Sequence, residues 1–289
     1  MPLLKMLAAY WRLWDIRVSR IVFWSADRLS WDIHPISPAI AYLPGVSSPT
    51  ILVTSLLVYL IIVAAGCRVL SDKTDTSVRE PRWLRALVIC HNILLIALSL
   101  YMFLGCISQA YQNGYTLWGN EYKQEETQLA HYIYLFYISK IYEFVDTFIM
   151  LLKKNLRQIS FLHVYHHSTI SFIWWMIARR APGGDAYFSA ALNSWVHVCM
   201  YTYYLLAIIL GKSEKRRAKY LWWGRHLTQM QILQFVCNLC QAIFCATYSN
   251  YPKFLSNILL VYMLSLLVLF GHFYYLKHVA STKLKQKQK

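Results

Sequence analysis

The sequence predicts an all-α integral membrane protein in which seven transmembrane helices enclose a buried active site. Three observations carry this. Of 289 residues, 57% are hydrophobic and only 15% charged, against about 25% charged in an ordinary soluble domain. Seven apolar stretches are each long enough to cross a hydrocarbon core of ~30 Å, which takes ~20 residues of helix. The third, fourth, fifth and sixth of those stretches are the polar ones, and their carboxylates, imidazoles and amides recur at helical spacing.

The spans are expected over residues 50–67, 86–107, 129–152, 159–178, 186–210, 227–247 and 254–276. The first, second and seventh hold no acidic or basic side chain apart from His. The division that follows is an N-terminal luminal or interfacial segment over 1–49, a seven-helix domain over 50–276 and a cytosolic basic tail over 277–289. Within the first segment, Trp11 to Ile33 reads as amphipathic and partly interfacial. Lys5, Arg12, Asp15, Arg17 and Arg20 interrupt the start of the chain, so no apolar core of a cleavable signal forms there and a span must serve as the insertion signal. No internal repeat is visible, which argues against an inverted-repeat transporter.

Orientation follows from Lys and Arg in the connections. Nine fall on the side that holds the N-terminus and nineteen on the side that holds the C-terminus. The N-terminus is therefore expected in the lumen and the C-terminus in the cytosol. The chain ends Lys285-Gln286-Lys287-Gln288-Lys289, which resembles a cytosolic dilysine retrieval signal of the endoplasmic reticulum, or reads simply as a basic tail.

The net charge is +16. The basic residues sit in short connections between apolar spans, so nucleic acid is not an expected partner. Anionic lipid headgroups and an anionic substrate remain. Aromatic residues make up 16%, with 22 Tyr and 11 Trp, and suit membrane interfaces and greasy pockets. Seven cysteines all lie in or at the ends of apolar spans, which argues against a disulfide framework. Cys237 and Cys240 form a C-x-x-C pair, read as small apolar residues of a buried helix.

Ionisable groups inside a span cost ~2.5–3.5 kcal/mol or more each at its centre, so they mark sites. The third span holds Lys140, Glu143, Asp146 and Thr147. Lys140, Glu143 and Thr147 share a helical face, as a site or as an ion-pair scaffold. Lys140 can pair well with one carboxylate only, which favours a functional Asp146. The fourth span holds His163, His166 and His167, at i, i+3 and i+4. One buried His is ordinary; three on one face of a membrane helix call for a function. The fifth span carries Asn193, His197, Met200, Tyr201 and Tyr204 in a stripe, and His197 supplies a fourth imidazole. The sixth carries Thr228, Gln231, Gln234, Asn238 and Gln241, whose amides could bond neighbouring helices.

Two chemistries suit such a set. Metal binding is one. A di-iron desaturase or hydroxylase of the membrane His-box kind needs eight or more ligands, and only four of the ten His gather here. Four could hold one zinc. Acid–base and nucleophilic catalysis is the other, with a neutral imidazole as nucleophile or base near pH 7. A seven-span receptor or transporter is the non-enzymatic alternative.

Four blocks in order, Lys140-Ile141-Tyr142-Glu143-Phe144-Val145-Asp146-Thr147, His163-Val164-Tyr165-His166-His167, His197 to Tyr204 and Thr228-Gln229-Met230-Gln231-Ile232-Leu233-Gln234, are similar to those of the fatty acid elongases of the endoplasmic reticulum. The resemblance covers roughly residues 50–276. It implies condensation of a long-chain acyl-CoA with malonyl-CoA to 3-oxoacyl-CoA, CO2 and CoA, as a very-long-chain 3-oxoacyl-CoA synthase without cofactor or metal. It also implies an acyl tunnel between the helices, running towards the lumen.

The only cysteine near the proposed site, Cys199, lies two residues from His197 and so about 200° away on a helix. An imidazole is therefore the preferred acyl carrier. The resemblance makes His166 the nucleophile and His197 the base or second partner, with His163, His167 and Asp146 orienting or activating them. Lys140, Glu143, Thr147, Asn193, Tyr201, Tyr204, Gln231 and Gln234 are supporting polar residues. Lys153, Lys154 and Arg157, with Arg225, are the expected contacts to CoA phosphates, while the rest of the connection before the sixth span reads as ordinary cytosolic bias. Gln158, five residues before His163, resembles members that accept polyunsaturated chains, and Ala181-Pro182-Gly183-Gly184-Asp185 resembles plant or algal members; C18–C20 polyunsaturated acyl-CoA is the expected substrate. Membrane lipid surrounds the protein. The pathway implies a 3-ketoacyl-CoA reductase, a 3-hydroxyacyl-CoA dehydratase and an enoyl-CoA reductase as partners, and a homo-oligomer is among the assemblies the sequence allows.

Overall fold

A computed structural model describes residues 2–71 and 81–275. Among them are ten α-helices and no strand. They run α1 Pro2–Arg28, α2 Thr50–Ser71, α3 Arg82–Gln112, α4 Thr127–Tyr142, α5 Phe144–Leu152, α6 Phe161–Arg180, α7 Ala186–Leu210, α8 Glu214–Tyr220, α9 Gly224–Thr247 and α10 Lys253–Tyr274.

Among the described residues, five helices are long and apolar enough to cross a membrane: α2, α3, α7, α9 and α10. Their outward side chains include Ile61, Leu104, Val261 and Val268, each at least half exposed. Exposed aliphatic rows of this kind are what a lipid solvent permits. The protein is an all-helical membrane protein. The third and fourth expected spans are not among the five. The third is two helices, α4 and α5, with a break at Glu143. There the ladder tightens, because the Asp146 amide donates to the Glu143 carbonyl at 3.1 Å, an i→i+3 bond of the 3₁₀ kind. The fourth, α6, is diluted by three histidines and ends in Arg179 and Arg180. The dilysine tail lies outside the described residues.

The chain divides into two compact units. The described residues of 1–78 and 121–186 form the first, and those of 79–120 and 187–289 the second.

In the first unit α2 packs on α1, α5 and α6, and α4 packs on α6. Tyr59, Val63 and Phe144 form an apolar centre with Leu56, Phe148 and Val164 around it. From Ile173 to Arg179 every residue of α6 is buried. The amphipathic segment begins earlier than the sequence suggested, with α1 running from Pro2 to Arg28. Trp14 Nε1 donates to Thr54 Oγ1 of α2 at 2.9 Å. The Ser48 and Thr50 hydroxyls hold the Asp15 carboxyl below its ordinary value by favouring its charged form.

Irregular chain over 29–49 is fixed by Arg179, which is 2% exposed. Its guanidinium donates to the carbonyls of Ile33 at 3.2 Å, Val46 at 3.3 Å and Ser47 at 2.5 Å. It also lies over the Phe23 ring, 4.6 Å from its centroid. In the charge count Arg179 was one loop cation among many; its actual work is to satisfy buried backbone, which non-helical chain cannot do for itself.

In the second unit α9 packs against α10. Arg217 donates to the carbonyls of Ala207 at 3.4 Å and Gly211 at 3.2 Å, so this cation closes the C-terminal end of α7. Trp118 meets Phe188 and Phe244 at 5.8 and 5.9 Å.

Candidate active site

The histidine face begins with a cap. Ser160 has extended backbone, and its hydroxyl accepts the His163 amide at 3.2 Å. That satisfies one of the donors a helix start leaves open, and it starts α6 two residues before its first His. The i, i+3, i+4 spacing then stacks the imidazoles. His163 and His167 have ring centroids 4.4 Å apart, and His166 and His167 lie edge to face at 5.7 Å. His163 and His166 are half-buried and His167 is 8% exposed. Among the described residues, His167 Nδ1 is buried without a hydrogen-bond partner.

Two neighbouring helices complete the group. Thr147 Oγ1, on α5, is 2.7 Å from His163 Nε2. Tyr59 OH, on α2, is 3.2 Å from the same Thr147 oxygen. Lys140 donates to Glu143 Oε1 at 2.7 Å, both residues being 2% exposed. The Lys140 ammonium also sits 4.3 Å above the Phe136 ring. Glu143 is thus one partner of the lysine. The tight turn at Glu143 suits an i, i+3 pair. Asp146 is half-buried and close enough to act electrostatically on Tyr59, Tyr142, Lys140 and His163.

The first unit thus brings together His163, His166, His167, Asp146, Thr147, Lys140 and Glu143. Lys153, Lys154 and Arg157 lie exposed in the connection from α5 to α6, directly before the Ser160 cap. Among the described residues, no three His, Cys, Asp or Glu side chains are disposed to share a metal ion.

The second unit holds the other expected residues. His197 is buried on α7, edge to face with Tyr201 at 5.6 Å. Tyr201 meets Tyr204 at 6.0 Å and His91 of α3 at 6.3 Å. On α9, Gln231 Nε2 reaches Met200 Sδ at 3.6 Å, and Gln234 is buried. Ser189 donates to Gln241 at 2.8 Å, which bears out the helix-bonding reading of that amide. Asn193 is half-buried on the His197 helix. Arg225 is exposed and donates to Tyr274 OH at 3.3 Å.

Sequence reasoning passed over Tyr59, Arg179 and His91. Tyr59 had a signal, being the one aromatic residue of α2.

Residues 44–286 match the GNS1/SUR4 family. The chain belongs to this family of fatty acid elongases. The elongase is 36% identical over 245 residues to very long chain fatty acid elongase 5 of Xenopus tropicalis, covering 83% of this chain and 78% of that one. It is 35% identical over 225 residues to very long chain fatty acid elongase 5 of Homo sapiens, covering 75% and 71%. Fatty acid elongase 6 of Leishmania major is 43% identical over 200 residues, 65% of this chain and 51% of that one. The elongase is a very-long-chain 3-oxoacyl-CoA synthase, which joins an acyl-CoA to malonyl-CoA.

Proposed function

We propose that the condensation proceeds through an acyl-imidazole on His166. A ring nitrogen of His166 attacks the acyl thioester; the C–S bond breaks, and CoA leaves as thiol with the proton the imidazole gives up. Malonyl-CoA then loses CO2. The resulting enolate carbon bonds to the acyl carbon, the C–N bond breaks, and the imidazole departs with one proton taken up from water as the product 3-oxoacyl-CoA forms. No cofactor or metal takes part. The observation that supports this best is the division of labour on α6: Thr147 holds His163 by Nε2, His167 is buried, and His166 is half-buried on the same face, where a neutral imidazole can serve as nucleophile. Asp146 orients the group by its charge. His197, with Asn193, Tyr201, Tyr204, Gln231 and Gln234, enters on the family motif alone, His197 as base. Lys140 and Glu143 neutralise one another and hold the turn beside Asp146.

The substrate is a polyunsaturated C18–C20 acyl-CoA, a reading supported by Gln158 before the His block and by the Ala181–Asp185 run. Seven spans cross the endoplasmic reticulum membrane, α4 with α5 serving as the third and α6 as the fourth, with the N-terminus luminal and the C-terminus cytosolic. Residues 1–49 form the luminal or interfacial segment, 50–276 the seven-helix elongase domain and 277–289 the cytosolic basic tail. The acyl chain lies between helices and points to the lumen. The 3-oxo product is consumed in turn by the reductase, dehydratase and enoyl reductase named above.

Purified protein with labelled malonyl-CoA and a panel of acyl-CoAs tests this. A 3-oxo product from polyunsaturated C18 or C20 chains is expected; product from saturated chains only would discard the substrate class, and no product from any chain would remove the reaction.

The exposed cations before α6 give a separate expectation. Reversing Lys153, Lys154 and Arg157 to Glu should raise KM for acyl-CoA by about tenfold or more at low salt with kcat little changed, since each lost phosphate contact weakens ground-state binding. An unchanged KM would remove them from the CoA site.

A further inference from the structure

The Tyr59 hydroxyl has no packing reason to exist. Its ring is fully buried and stacked on Phe144, with centroids 4.4 Å apart and planes 18° apart. It sits in the apolar centre with Val63, Leu56 and Val164. A Phe would fill that place without having to bury a phenol, which costs free energy unless it is hydrogen-bonded. Among the described residues the hydroxyl has one partner, Thr147 Oγ1 at 3.2 Å. Thr147 is fully buried too, and among the same residues its oxygen has one further partner, His163 Nε2 at 2.7 Å.

Counting protons gives this chain a direction. A tyrosine or threonine hydroxyl carries one hydrogen. The Tyr59 hydrogen is satisfied only if it is given to Thr147. The Thr147 hydrogen is then satisfied only if it is given to His163 Nε2. The opposite sense leaves a buried phenol hydrogen unpaired, at about 1–3 kcal/mol. His163 Nε2 is therefore the acceptor, and the neutral ring carries its proton on Nδ1.

We infer that Tyr59 is a positioning residue that, through Thr147, locks His163 in the Nδ1–H form and turns that N–H into a hydrogen-bond donor for the oxyanion of the condensation. The tautomer stands on the hydrogen-bond geometry; the donor role rests on the acyl-imidazole reading above. It gives the three histidines different tasks: His166 is acylated, and His163 offers a fixed N–H. Donors aimed at a developing oxyanion are among the largest contributions to catalysis. The four sequence blocks contain Thr147 and His163 but not Tyr59, which reaches them from a different helix.

Two measurements test this. In ¹⁵N-histidine-labelled protein in lipid, with the His163 signals assigned by their loss in His163→Gln, solid-state NMR should show the Nδ1–H tautomer, and Tyr59→Phe should give a mixture. An Nε2–H ring in the wild type overturns the inference, and so does an unchanged single tautomer in Tyr59→Phe. In steady-state condensation, Thr147→Val should lower kcat about tenfold or more with KM for acyl-CoA within about twofold, and Thr147→Ser should restore most of it. Tyr59→Phe should lower kcat about threefold to tenfold, yet add nothing in the Thr147→Val background, because the hydroxyl acts only through Thr147. Multiplying losses in the double variant would overturn the relay. Were wild type to form no 3-oxo product, the reaction reading would fail while the NMR result still decided the tautomer.

Discussion

His166→Ala is expected to lower condensation by about 10³-fold or more and to abolish acylation of the protein. Removing a nucleophile leaves only binding and oxyanion stabilisation, which is why such losses are so large. Intact-mass measurement after incubation with acyl-CoA alone separates the steps. Wild type should gain one acyl mass, and His166→Ala none. The half-buried His166 ring meets His167 edge to face, so the thermal unfolding of the variant is measured beside the assay to separate a lost nucleophile from lost structure. An adduct that survives His166→Ala would move the nucleophile to another residue.

The largest loss of stability is expected at Arg179. Arg179→Leu leaves the carbonyls of Ile33, Val46 and Ser47 without their common donor. An unsatisfied buried polar group costs about 1–3 kcal/mol, so a total of about 3–5 kcal/mol is expected. In detergent micelles that should lower Tm by about 10 °C. Arg179→Lys should recover only part, because an ammonium lacks the planar fork that reaches several acceptors at once. Its neighbour supplies the control. Arg180 pairs with a half-exposed Asp32 at 3.2 Å, and such pairs are worth about 0–1 kcal/mol. Arg180→Leu should therefore change Tm by no more than about 3 °C. If the two leucine variants unfold together, the buried network is not what holds residues 33–47.

These two residues also show how far the sequence could be read. His166 was legible because its information is local. A helix places i, i+3 and i+4 on one face whatever surrounds it, and a lipid solvent makes three imidazoles there too costly to be accidental. The same local logic found Lys140 beside Glu143, since three residues is one turn. It missed the break at Glu143, because 129–152 is apolar enough to read as one helix. Arg179 and Arg180 could not be told apart as a string of letters. Both stand at the end of an apolar run and both count as loop cations. What separates them is that the carbonyls of Ile33, Val46 and Ser47, more than 130 positions away in the chain, come to one guanidinium and not to the other.

By itself the sequence determined the solvent, the helical class, the histidine face and, through four ordered blocks, the family. Each of these depends on composition or on neighbours within a turn or two. The tertiary structure alone decided which arginine is buried, and that Tyr59 of α2 meets Thr147 of α5 and His163 of α6. Those contacts join residues 88 and 16 positions apart. Their partners are chosen by which helix faces pack together, and no periodicity along a single helix encodes that choice.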